Sequence, residues 1–139
     1  MSLVEYGASI SLETAKKVMR SAEVEAVAND WSMVVVIVDN GGHLVAMQKM
    51  DHAILGAIDV AHTKARTAVL FKRPTKVYQE AIGNDFPGSR LLSNHEICPF
   101  EGGVPIVQDD KVIGAIGVSG GQPAQDGRVA MAGAQAVNG

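Results

Sequence analysis

Cysteine occurs once in these 139 residues, as Cys98, so no disulfide can form within the chain. Aromatic side chains are scarce, with one Trp, two Tyr and three Phe. The core must therefore be built from Ala, Val, Ile, Leu and Met. Charge is sparse as well, at 19% of residues against about 25% in an average protein. Combined with 47% hydrophobic residues, this excludes a disordered chain, which needs low hydrophobicity and high charge. There is no excess of positive charge: 12 basic and 15 acidic residues give a net charge of −3, which argues against a nucleic-acid binder. Long apolar runs are missing too. The longest, Met33 to Val38, falls far short of the roughly 20 residues that span a bilayer. No basic stretch followed by an apolar one marks a signal peptide. These absences predict a cytoplasmic protein that engages neither membrane nor nucleic acid. The length fits one domain, residues 1–139, able to bury about two thirds of its unfolded surface.

What is present is regular hydrophobic spacing. Leu12, Ala15, Val18, Met19, Ala22 and Ala26 recur at three- and four-residue steps behind Ser11, a good N-cap. A helix over 12–29 follows. Met33 to Val38 is short and β-branched, as expected of a strand buried on both faces. Asp39-Asn40-Gly41-Gly42 is a strong hairpin signal, and the return strand runs from His43 to about Met50. From Ala53 to Phe71 the sequence is Ala-rich and apolar on more than one side, so a second cover, such as another subunit, is expected. Pro74 ends this helix, and Thr75 is placed to cap a short one ending near Gly83. Residues 84–103 show no period, a length of irregular chain often tied to function. A short strand near Leu91-Leu92 is the one element it could hold. Val104 to Val107 and Lys111 to Ser119 form a second hairpin, with Pro105 putting the first strand at a sheet edge. Gly114 and Gly117 point to close approach by another backbone or a ligand. Pro123 suits the first position of a final helix and Asp126 its first turn. Two tight hairpins among helices predict an α+β fold with a mainly antiparallel sheet.

Several groups could carry chemistry. Gly114, Gly117, Gly120 and Gly121 precede a helix N-terminus, a place that can hold an anion. Their spacing is wrong for a dinucleotide fingerprint. Lys64, Arg66, Lys72, Arg73 and Lys76 fall in a stretch free of acids between Asp59 and Glu80, and could receive carboxylates or phosphates. Lys64 lies among small residues, where desolvation would lower its pKa and suit it to act as a base. A structural ion pair with Asp51 or Glu101 is the plainer alternative. The histidines are His43, His52, His62 and His95. Asp59 and His62 share a helix face, but a divalent metal site needs further ligands and none is expected. One axial histidine is enough to hold haem.

Taken in order, Val35-Val-Ile-Val-Asp39-Asn-Gly-Gly42, His43-Leu-Val-Ala46, Lys49-Met-Asp51, Lys64-Ala-Arg-Thr-Ala68, Pro74-Thr75, Gly102-Gly103-Val-Pro105 and Val112-Ile-Gly-Ala-Ile-Gly-Val-Ser-Gly-Gly121 with Gln125-Asp126 form a set that resembles the GlcG/HbpS-like family. That family includes the C-terminal domain of PduO-type corrinoid adenosyltransferases. The resemblance spans about Ser11 to Asn138. It implies a profilin-like fold, a central antiparallel sheet flanked by helices. It also implies a homo-oligomer: a dimer, a tetramer or an octamer. Members are associated with haem binding, redox sensing and haem degradation, and others accompany catabolic operons. On that basis the chain is expected to bind haem or a related tetrapyrrole or corrinoid as an accessory to catabolism. His52 or His62 would be the axial ligand, with Met47 or Met50 against the ring. Lys64, Thr75, Gly102, Gly103, Ser119 and Gly120 would frame the pocket. The alternatives are an enzyme moving a proton on a small carboxylated catabolite, with Lys64 as base and Asp51 its partner, or an accessory subunit that stabilises a partner enzyme.

Overall fold

A computed structural model describes residues 4–84 and 97–138. His95 and the possible strand at Leu91-Leu92 lie outside them. The first long helix, α1 (Leu12–Ala28), starts where the spacing places it, and Ser11 Oγ accepts the Thr14 amide at 3.1 Å. Its buried residues, Ala15, Val18, Met19, Ala22 and Ala26, are the periodic ones apart from Leu12, which is exposed at the first position.

Strand β2 (Val34–Val38) is buried at every position. It turns through Asp39, whose Oδ1 accepts the amides of Gly41 and His43 at 2.9 and 3.0 Å, into β3 (Leu44–Lys49). Helix α2 (Ala57–Phe71) begins four residues later than its apolar spacing predicts. Ala53–Gly56 is spent on the turn that carries the chain from the end of β3, with Ile54 and Leu55 exposed. Helix α3 (Lys76–Asn84) follows. Thr75 stands at the N-cap position, its carbonyl accepting the Gln79 amide at 3.2 Å, but its side chain serves the sheet: Oγ1 accepts the Gly103 amide at 2.8 Å and the Thr75 amide donates to Gly103 O.

The second hairpin pairs β4 (Gly103–Gln108) with β5 (Lys111–Ser119). Strand β5 is central, antiparallel to β4 on one side and to β2 on the other. A two-residue strand, β1 (Glu5–Tyr6), lies parallel to β5 at Lys111–Val112, in line with β2 on the same side. The sheet is thus mixed rather than purely antiparallel, with β3 and β4 outermost among the described residues. Helix α4 (Pro123–Ala134) has Pro123 in its first turn and a capping box between Gln122 and Gln125.

Alternation along β2 and β5 splits the core in two. Val34, Val36, Val38, Val112 and Ala115 face α2. Val35, Ile37, Ile113, Ile116 and Val118 face α1 and α4. Gly117 is required here, because a Cβ would run into the Ala61 carbonyl of α2. The close approach its position predicted is by backbone.

Candidate functional site

Lys64 projects from the sheet-facing side of α2 and is 2% exposed. Its Nζ donates to Val118 O and to Asp126 Oδ2, both at 2.9 Å. Val118 N already bonds Gly102 O, so the β4–β5 ladder runs one bond past Gly103 and stops. The lysine ammonium takes the place of the next backbone donor. Gly102 turns away with φ +135°, and a Cβ there would collide with Val118 O and Lys64 Nζ. Through this gap at the end of β4, α2 on one face is tied to α4 on the other. Asp126 Oδ1 accepts the Gly121 amide at 2.9 Å. Burial pushes the Asp126 carboxyl up; the Lys64 ammonium and the Gly121 amide pull it down, and the Glu101 charge adds to the rise. The net direction is upward.

The expected Lys64–Asp51 pair is therefore replaced by Lys64–Asp126. Asp51 sits in an exposed turn beyond β3. Sequence reasoning assigned Asp126 only to a helix first turn. The missed signal is its spacing, since Val129 and Ala130, three and four residues on, are both fully buried. Thr75, Gly102 and Gly103 gather round the same sheet end, and Ser119 is buried beside it. Thr67 Oγ1 accepts the Cys98 amide at 2.9 Å. Burial raises the Cys98 thiol pKa above its ordinary value, against the Phe100 amide and the Lys64 charge.

The other predicted residues collect elsewhere. Glu23, Ser32, Gln48, Lys49, Met50, Asp51 and His52 line an open cleft of about 470 Å³ between α1 and the end of β3. His52 is exposed and holds φ +71°, a left-handed conformation that costs a non-glycine residue about 1–2 kcal/mol. Gln48 Nε2 is shut from water without a hydrogen-bond partner, a feature no sequence pattern announces. Gly120, at φ +132°, packs against Ser32 O and Met33 at the rear of this region.

His62 stands apart on α2, its Nε2 enclosed and unbonded. His43 is exposed and lies 3.3 Å from Asp39. The five-cation stretch does not act as one patch. Lys64 is interior, Lys72 lies 4.5 Å over the Tyr6 ring and donates to Val4 O, and Lys76 is 4.0 Å from Glu80. Among the described residues, no three His, Cys, Asp or Glu side chains converge on a metal position. No helix there is long and apolar enough to cross a membrane.

The chain thus builds a helix-flanked sheet with a sealed polar tie at one end and an open cleft beside β3. The chain belongs to the family described as haem-degrading protein HbpS-like, matched over residues 10–135. It is 41% identical over 113 residues to protein GlcG of Escherichia coli K12, covering 79% of this chain and 81% of that one. It is 30% identical over 139 residues to the corrinoid adenosyltransferase PduO of Citrobacter freundii, covering 96% of this chain but 41% of PduO. Among solved structures it resembles Klebsiella pneumoniae protein ORFY, with a TM-score of 0.87, 29% identity, and 99% of this chain and 97% of that one covered. It also resembles a PduOC–haem complex, with a TM-score of 0.84, 28% identity, and 94% and 96% covered.

Proposed function

We propose that the chain is a cytoplasmic, homo-oligomeric binder of haem or a related tetrapyrrole or corrinoid, serving as an accessory in catabolism. The observation that carries this reading is the cleft beside β3, in a chain similar along nearly its whole length to a protein solved with haem. The cleft presents an exposed imidazole, His52, beside the Met50 thioether, with the Lys49 ammonium available to a propionate. Its volume lies within the range of about 300–1,000 Å³ typical of ligand pockets. Iron ligation needs a neutral imidazole nitrogen within reach, and His52 is accessible where His62 is enclosed. Exposed Leu44 and Met47 on the outer strand, with Ile54 and Leu55 beyond it, support a second copy covering this side of the molecule. Lys64, Thr75, Gly102 and Gly103 support the sheet end in this reading, with Lys64 buried and its ammonium bonded to Val118 O and Asp126.

The test is a hemin titration followed by visible absorption. A saturable, shifted Soret band is expected at about one haem per chain or per dimer. The shift disappears in His52→Ala and persists in His62→Ala. A featureless response of the unaltered protein sinks the reading, and loss in His62→Ala alone moves the ligand to α2.

A further inference from the structure

Between α1 and the C-terminal 3-10 turn lies a second cleft, of about 350 Å³, lined by Lys17, Arg20 and Ser21 of the helix and Ala136 of the turn. Its lining differs in kind from that of the His52 cleft, where Glu23 and Asp51 offset Lys49. Among the described residues, no carboxylate lines this one. Neither Lys17 nor Arg20 forms an ion pair among the described residues, whereas Lys64, Lys76 and Arg128 each have an acidic partner. Glu13 and Glu23, the acids nearest along α1, stay beyond ion-pair distance of both cations, and Glu25 is taken by Arg128 at 2.8 Å.

The serine is also uncommitted. A hydroxyl inside a helix ordinarily bonds back to the carbonyl four residues earlier. Thr63 and Thr67 of α2 do so, to Asp59 O and Thr63 O at 2.9 and 2.8 Å. Ser21 makes no such bond and is half-buried at the cleft wall. Helical spacing sets Lys17 beside both Arg20 and Ser21, at three and four residues. The lining therefore combines a planar fork of N–H donors, a compact ammonium and a free hydroxyl, on a protein that is negative overall. Donors of these three shapes fit the separate oxygens of a tetrahedral oxyanion better than the flat pair of a carboxylate.

We propose that this cleft binds a phosphate group carried by a small molecule, at a site separate from the His52 cleft. The inference does not depend on haem binding. The test is calorimetric titration of the full chain with inorganic pyrophosphate, at low and at physiological salt. Saturable binding at one site is expected, weaker at the higher salt. The double variant Lys17→Ala/Arg20→Ala loses about tenfold or more in affinity, and Ser21→Ala about threefold. Lys76→Ala, which removes one surface charge elsewhere, changes affinity little. Two results overturn the proposal: no saturable heat with the unaltered protein, or a loss in Lys76→Ala as large as in the double variant. Succinate binding as tightly as pyrophosphate overturns the phosphate assignment. Lys17, Arg20 and Lys76 are exposed and Ser21→Ala removes a single half-buried oxygen, so the fold stays intact for the comparison.

Discussion

The sheet end at Lys64 and the cleft at His52 each hold a lysine and an aspartate, and they use them in opposite ways. Lys64 and Asp126 are sealed from water at 2.9 Å, and both oxygens of the aspartate are bonded. Lys49 and Asp51 lie open, form no ion pair, and stand next to a strained histidine and an unsatisfied amide. The same residue types serve cohesion where every donor is matched, and stay available to a ligand where donors are left over. Backbone strain and unmatched polar groups concentrate at sites whose role is something other than stability.

The sharpest way to break this contrast is to unpair the interior. Asp126→Ala leaves a buried ammonium with only the Val118 carbonyl and no counter-charge, and Lys64→Met leaves a buried carboxylate. Each should cost about 3–5 kcal/mol in urea unfolding. Lys64→Met/Asp126→Leu should recover most of that loss, because an apolar pair needs no solvation. If the single changes are silent, the interior pair is not what holds this end of the sheet. A smaller effect of opposite sign is expected in the cleft. His52→Gly relieves a left-handed residue and should raise stability by about 0.5–1 kcal/mol while removing the Soret shift. A variant that becomes less stable would mean the histidine supports the turn rather than a ligand.

The smallest effect concerns pH. The Cys98 thiol has a folded pKa above its unfolded value. Its contribution to stability is therefore present below the unfolded thiol pKa of about 8.5 and is lost as pH rises through the folded value. Iodoacetamide should label Cys98 more slowly in the folded than in the unfolded protein at the same alkaline pH. Equal rates would show that this thiol is not shielded as its burial implies.

Most of the architecture was legible because it rests on local rules. The period of α1, the Asp39–Gly42 turn, the β-branched run of β2 and Pro105 on an outer strand each announce themselves within a few residues. The parallel pairing of Glu5–Tyr6 does not, since two residues carry no period and their partner lies more than a hundred positions away. The site was harder for the same reason. Lys64 was singled out for its surroundings of small side chains, but its partner is 62 residues further on and was read only as a helix-start acid. Met50, Asp51 and His52 are adjacent in sequence and reached the cleft together. Glu23 and Ser32, which complete its wall, come from another element and carry no mark of it.

The outer strands have a consequence for growth. Pro105 pairs across from Ala115 while lacking an N–H, so the missing donor falls on the side of β4 that faces away from β5. That border is chemically blunted. Strand β3 has no proline and, among the described residues, no neighbour on its free side. A sheet with one blunted and one competent border can be extended once, by the same border of a second copy, and then offers no further template. Among the described residues, β3 is thus the border through which two copies of this chain would share a continuous sheet.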